Sequence, residues 1–255
     1  MTANEYRVAR EELMRRWSEE CWEWLGYEKD DPKRPVFYMD GAFDSEEWYR
    51  GLFRPLFILK EVNEETDGEA TDRRYDFIGD NRESDPWLRV NMWKKFSVLL
   101  QAVLAFGEGR LDDRDYQKCE DTTMEEHQDA LKKVAVINLK KIGGGSAAAG
   151  DKSKQTFCFE CHASRFSSRI KEQIELLQPS VIICCGKNSV INSLGITQDA
   201  FFIVKDKEGH ERKVPVINGY HPSRNSYEKL CGETLKGLEI RGKHLCSIRC
   251  ACFST

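Results

Sequence analysis

The sequence has no apolar run that approaches the roughly 20 residues needed by a membrane-spanning helix. Residues 1–16 are charged and contain no apolar core of the kind found in secretory signals. The first absence argues against an integral membrane protein, and the second argues against export. We therefore expect a cytoplasmic protein that does not contact membranes.

Neither sign of charge dominates the chain. Its 39 Lys and Arg residues and 43 Asp and Glu residues give a formal net charge of −4, although charged residues make up 32% of the sequence. This balance excludes binding to nucleic acid through overall positive charge, so any contact with a phosphate backbone must come from a local patch. The glycine run at 143–145 lacks the Gly-Lys-Ser/Thr ending of a P-loop, which argues against a nucleotide-binding loop of that kind.

What the chain does contain is enough apolar material for a core. Hydrophobic residues make up 40% and aromatic residues 11% of its 255 residues, a size that suits one compact domain. We predict a single domain over residues 1–255, with a helical extension at 1–50 and a cysteine-rich tail at 241–255, and we expect a monomer.

Ten cysteines are many for a reducing compartment, where thiols or metal ligands are expected rather than disulfides. Cys158 and Cys161 have the spacing of a metal-binding knuckle and are followed by His162, but a second knuckle is missing. The same string resembles a haem-attachment motif, which usually accompanies export. We predict no metal and no other cofactor; a zinc or iron–sulfur site completed by His162 or the C-terminal cysteines stays open as an alternative.

Short apolar runs alternate with segments of helical periodicity. The runs predict buried strands, and their alternation with helices predicts an α/β fold: a three-layer α/β/α sandwich with a central four-stranded parallel sheet. The predicted strands are 55–59, 134–137, 180–185 and 214–217, and the main predicted helices are 5–25, 91–106, 164–177 and 227–240. The polar segment 205–212 is typical of a hairpin or a loop.

Polar residues follow each predicted strand. Ligands of such sheets bind outside the carboxyl ends of the strands, so these residues are candidates for one site. They are Glu61, Asn63, Asn138, Lys140, Gly186, Lys187, and the string His221-Pro222-Ser223-Arg224 with Asn225.

The order of these motifs over residues 55–240 resembles the uracil-DNA glycosylase superfamily. The segment Glu61-Val62-Asn63-Glu64-Glu65 takes the place of the family's Gly-x-Asn-Pro-Gly-like first motif, with Asn63 at the polar position and other residues in place of the glycines and proline. Asn138 ends the middle strand, and His221-Pro222-Ser223 matches the last motif. The resemblance implies an α/β/α sandwich and DNA as the partner.

The resemblance also implies roles. Breaking an N-glycosidic bond places positive charge on the sugar and negative charge on the departing base. His221 would stabilise the base, Asn63 would orient water, and Glu61 would act as a base or stabilise the cationic sugar. Asn138 would read the base edge, and Arg224 or Asn225 would wedge into the duplex.

Each candidate also has a structural alternative. Asn63 and Asn138 can satisfy a turn or a strand end, and His221 can be bonded within its own turn. Gly186, Lys187, Ser223, Lys140 and Arg224 are predicted to contact substrate, the basic ones as a phosphate-binding rim. Lys141 belongs to the same expected rim, whereas we interpret Arg165 and Arg169 as ordinary surface charge.

We therefore predict a DNA glycosylase that excises a flipped uracil, a damaged base or a modified base and leaves an abasic site, in repair or in defence against phage DNA. Two alternatives stay open. One is a non-catalytic nucleic-acid-binding module of the same fold, and the other is a hydrolase of free nucleosides or nucleotides.

Overall fold

A computed structural model gives the fold and describes residues 1–61, 71–72, 91–109, 123–142, 159–186, 188–196, 201–221, 226 and 228–240. None of the helices in these ranges is long and apolar enough to cross a membrane.

Helices and strands alternate along the described chain. The helices are α1 (Ala3–Trp24), α2 (Ser45–Arg50), α3 (Asn91–Gly107), α4 (Met124–Lys132), α5 (Phe159–Arg165), α6 (Ser167–Leu177), α7 (Asn188–Ser193) and α8 (228–240), which begins with a π-helical turn at Glu228–Gly232. The strands are β1 (Tyr38–Met39), β2 (Gly41–Ala42), β3 (Pro55–Glu61), β4 (Thr71–Asp72), β5 (Ala135–Lys140), β6 (Val181–Cys185), β7 (Phe201–Lys205) and β8 (Glu211–Gly219).

Six of the described strands form one sheet in the order β2-β5-β3-β6-β8-β7. The inner strands pair in parallel, β5 with β3, β3 with β6, and β6 with β8. The edge strands β2 and β7 pair antiparallel. The predicted sheet of four parallel strands is therefore too small, because the actual sheet is mixed and two antiparallel edge strands extend it.

Helices cover both faces of this sheet. One face packs against α1, α2, α5, α6 and α7, through residues such as Trp17, Trp48 and Ile170. The other packs against α3, α4 and α8, through residues such as Phe96 and Leu235. Because both faces are covered, β6 is buried along its whole length, as expected for an inner strand of a parallel sheet.

Asp40 lies between β1 and β2, where the ladder along the outer edge of β5 is interrupted. Phe37 bridges Ile142 on one side of the gap, and Gly41 pairs with Val136 on the other. Within the gap, the backbone N–H of Asn138 donates to Asp40 Oδ2 at 2.7 Å. A side-chain carboxylate thus takes the place of the strand carbonyl that is missing there.

Asp40 also joins buried groups from other elements, through its carboxylate and its backbone carbonyl. Lys141 forms an ion pair with Asp40 Oδ1, and both side chains are almost fully buried. Gln173 of α6 donates to Oδ1 at 2.8 Å, and Arg10 of α1 donates from Nε to the Asp40 carbonyl at 2.9 Å. Burial lowers the pKa of Lys141, and the Asp40 charge opposes this effect. Asp40 is therefore the shared partner of α1, α6 and β5.

We predict that Asp40→Ala lowers the free energy of unfolding by about 3–5 kcal/mol, because it leaves a buried ammonium group without its carboxylate. The matched control is Asp44→Ala, which removes an N-cap that accepts from the N–H groups of Glu46 and Glu47 and costs about 1 kcal/mol. Urea unfolding followed by circular dichroism measures both. Equal losses would contradict the central position given to Asp40.

Candidate active site at the carboxyl edge of the sheet

The carboxyl ends of the four parallel strands lie along one edge of the sheet. Glu61 at the end of β3 pairs with Lys140 at the end of β5. Cys185 of β6 pairs with Gly219 of β8, and the N–H of Gly186 donates to the Gly219 carbonyl at 3.3 Å. The backbone segments predicted to converge therefore share this edge.

The centre of this edge is the boundary between β3 and β6. From β3 the chain proceeds to β5 on one side, and it later continues from β6 to β8 on the other side. Such a reversal of strand order opens a crevice beyond the strand ends, and ligands of α/β sheets bind there. Lys60 and Gly186 flank this boundary.

Lys60 lies across Gly186. A Cβ atom at position 186 would lie 3.1 Å from Lys60 Cε and 2.7 Å from Val190 Cγ2, so only glycine leaves room for both side chains. The Lys60 ammonium lies 5.0 Å from the centre of the Phe159 ring, a cation–π distance. The half-buried Lys60 thus places a positive charge at the crevice.

Sequence reasoning missed Lys60 because it is the first of several polar residues after an apolar run, and nothing local distinguishes it from its neighbours. The signal that was available is Gly186, the glycine directly after the adjacent strand. A glycine at such a position often marks a close approach of another group.

His221 is half-buried and follows β8 directly after Tyr220. Close packing of α8 on β8 fixes the position of this strand end. A Cβ at Gly219 would lie 3.2 Å from Ile183 Cγ2, and a Cβ at Gly237 of α8 would lie 2.8 Å from Ile217 Cγ2. Gly237 therefore lets α8 approach β8 closely, Gly219 makes room for Ile183 of β6, and His221 follows the end of β8.

Asn138 is held by Asp40. In addition to its backbone N–H, its Nδ2 donates to Asp40 Oδ2 at 3.2 Å. The side chain belongs to β5, which lies three strand spacings from β8, about 14 Å. This arrangement favours the structural alternative, in which Asn138 satisfies a strand end. It argues against the predicted role, in which Asn138 recognises the edge of a base that His221 also contacts.

Lys140 and Lys141 do not form an exposed phosphate-binding rim, and that prediction needs correction. Each is 1% exposed, and Asp40 and Trp17 of α1 cover Lys141. Arg169 is paired with Glu20 and with Glu172, which agrees with its interpretation as surface charge.

Several predicted site residues lie outside the part of the chain that the structure describes. They are Asn63, Lys187, Ser223, Arg224 and Asn225, and Glu61 is described through its backbone alone.

The described cysteines show no metal-binding arrangement. Cys21, Cys184, Cys185 and Cys231 are buried free thiols. Cys161 is disulfide-bonded, which contradicts the expectation of thiols or metal ligands throughout, because disulfide formation also depends on which sulfur atoms the fold brings together.

One group of described His, Cys, Asp and Glu side chains is compact enough to hold a metal ion. It consists of Asp206, Glu208 and His210 and lies in the turn between β7 and β8, at the opposite edge of the sheet. Its partly to fully exposed side chains and an internal bond from His210 to Asp206 are those of an ordinary polar turn.

Comparison with known proteins gives no relative: the chain matches no protein-family model and no curated protein. Its function has to be inferred from the geometry of the carboxyl edge.

We predict that Gly186→Ala destabilises the protein by about 1–3 kcal/mol, the usual cost of overpacking. The loss should shrink in a Val190→Ala background, because that change removes the contact at 2.7 Å. A double-mutant cycle measured by urea unfolding tests this coupling. Strictly additive effects would show that the two positions do not compete for space.

The buried thiols predict a loss of stability at alkaline pH. Burial raises the pKa of Cys185 to about 12, whereas an unfolded thiol titrates near about 8.5. The folded pKa is the higher one, so the contribution of the neutral thiol is complete below the unfolded value and is lost as pH rises toward the folded value.

Cys185→Ala should therefore make the decline of unfolding free energy above pH ~8.5 shallower, by at most about 1.4 kcal/mol per pH unit. Val181→Ala is the matched control, since it opens a cavity in the same strand without removing a titrating group. Unfolding in urea with a reducing agent at several alkaline pH values measures the slopes. Identical slopes for Cys185→Ala and the wild type would contradict the prediction.

Proposed function

We propose that the protein is a hydrolase of N-glycosidic bonds that acts on a base in DNA and leaves an abasic site. The observation that carries the proposal is the shared carboxyl edge of the parallel strands, where Lys60 packs over Gly186 at the boundary between β3 and β6 and His221 follows the end of β8. A cation and an imidazole at the carboxyl edge suit a substrate that is anionic and that releases an anionic leaving group.

The two side chains have different parts in this proposal. An imidazole N–H of His221 donates to the departing base, on which negative charge develops as the bond breaks. Lys60 binds a phosphate of the flipped nucleotide and does not contact the sugar. A cation next to the sugar would repel the positive charge that forms there as the bond breaks. Glu61 and Asn63 follow Lys60 in the chain, and they are the proposed residues for orienting water.

The contact with DNA then depends on fewer basic residues than the sequence indicated. Lys140 and Lys141 are buried, and the chain is acidic overall. Arg224 and Lys187 remain the proposed phosphate contacts. The burial of the two lysines also favours a second candidate, hydrolysis of free nucleosides or nucleotides, for which a long basic rim is unnecessary.

The test is an abasic-site assay. The purified protein is incubated with oligonucleotides that carry uracil, damaged bases or bulky modified bases, and cleavage is read after treatment with hot alkali. Release of free base from nucleosides and nucleotides is measured in parallel. We expect cleavage of at least one oligonucleotide and a fall of at least about 100-fold in His221→Ala, the usual minimum for loss of a general-acid or hydrogen-bond contribution.

His210→Ala is the matched control, since His210 is an exposed histidine at the other edge of the sheet. It should retain full activity. Activity on monomers alone would favour the second candidate. No release from any substrate, together with salt-sensitive DNA binding, would contradict hydrolysis and favour the non-catalytic binding module.

A further inference from the structure

A separate cleft lies at the amino edge of the sheet, about 20 Å from the carboxyl edge by the length of β3. Its volume is about 390 Å³, within the range of small-molecule sites. Arg54, just before β3, and the segment between β7 and β8 line it, together with residues of α6.

Arg54 carries an unsatisfied buried donor in this cleft. Its Nε atom is buried, and among the described residues no atom accepts a hydrogen bond from it. The guanidinium lies 5.8 Å from the centre of the Tyr49 ring, and the Tyr49 hydroxyl is itself directed to the Leu176 carbonyl. An unsatisfied donor on a charged group is costly to bury, and a ligand that accepts from it would remove this cost.

A second guanidinium adds to this cost. Arg212 is partly buried and donates from Nη2 to the Pro179 carbonyl at 2.9 Å. Burial lowers the pKa of Arg212, and the charge of Arg54 lowers it further. An anionic group bound beside Arg54 would relieve the repulsion between the two cations. The planar fork of Arg54 suits a carboxylate or a phosphate.

Glu175 presents the complementary feature in the same cleft. Its Oε1 atom is buried and has no hydrogen-bond partner among the described residues, and it forms only a long ion pair, at 4.0 Å, with Lys171 Nζ. Four of the other charged side chains that line the cleft have ionic partners. These pairs are Glu172 with Arg16, Lys207 with Glu5, Lys205 with Glu211, and Asp206 with His210.

We propose that this cleft binds a small zwitterion, an amino acid or a peptide end, with its carboxylate on Arg54 and its ammonium group on Glu175. The arrangement leaves one donor and one acceptor unsatisfied, and a ligand with both charges satisfies both. Phosphate fits less well, because Glu172, Glu175, Asp206 and Glu208 line the same cleft and repel a doubly charged anion.

Thermal unfolding with added ligand tests the proposal. The probes are the twenty standard amino acids, added singly, with acetate and inorganic phosphate for comparison. We expect a saturable rise in Tm of at least about 2 °C with one or more amino acids. The rise should be absent in Arg54→Met and in Glu175→Gln. Arg50→Gln is the matched control, since Arg50 is exposed and paired with Glu47, and it should respond like the wild type.

The ligand-free variants give a second readout. Removal of an unsatisfied buried charge predicts that Arg54→Met has an equal or higher Tm than the wild type, whereas an arginine kept for stability predicts a lower one. The proposal is overturned if no amino acid gives a saturable rise. It is also overturned if acetate and phosphate act as strongly as the amino acids and Glu175→Gln has no effect, because the site would then be a plain anion site.

Discussion

The buried carboxylate of Asp40 is the interaction on which the edge of the sheet depends. It accepts from the backbone of β5 at Asn138 and from the side chain of Lys141. The carboxylate also accepts from Gln173 of α6. The backbone carbonyl of Asp40 accepts from Arg10 of α1. Without the carboxylate, the gap between β1 and β2 would leave the backbone N–H of Asn138 and a buried ammonium unsatisfied, and Gln173 of α6 would lose its acceptor.

These contacts explain why the end of β5 is covered. Lys140 is the last residue of β5 and Lys141 follows it, and both side chains are buried. Asp40 and Trp17 of α1 cover Lys141, whose Nζ lies 5.0 Å from the centre of the Trp17 ring. The carboxyl edge is consequently closed at β5 and offers its candidate chemistry at β3, β6 and β8.

The two edges of the sheet carry different chemistry because the inner strands are parallel. All carboxyl ends meet at the edge where Lys60 and His221 lie, and all amino ends meet where Arg54 and Arg212 lie. At the first edge the Lys60 side chain packs over Gly186. At the second, a guanidinium donor is buried without a partner in the described structure. The proposed catalysis belongs to the first edge, and the proposed ligand binding belongs to the second.

The inner strands could be predicted from sequence because each is an uninterrupted apolar run, a pattern that burial on both faces produces. The edge strands could not. β2 is only two residues long, and β7 is partly exposed along most of its length, so neither produces a run. The order of the strands also has no local signal, since it depends on which helices cross which face.

The site was predictable only in part for a related reason. That the strand ends share an edge follows from their parallel direction. The burial of Lys140 and the engagement of Asn138 depend on Asp40, which is distant in sequence and lies in a segment without a motif. Lys60 was missed because its distinguishing neighbour, Gly186, belongs to another strand.

The measurement that tests the central claim most directly is a crystal structure of the protein bound to an oligonucleotide that carries 2′-fluorinated deoxyuridine, or the corresponding analogue of the best substrate. We expect an extruded base within hydrogen-bond distance of His221 and a phosphate oxygen next to Lys60 Nζ. An oligonucleotide bound elsewhere on the protein, with the crevice between β3 and β6 empty, would contradict it.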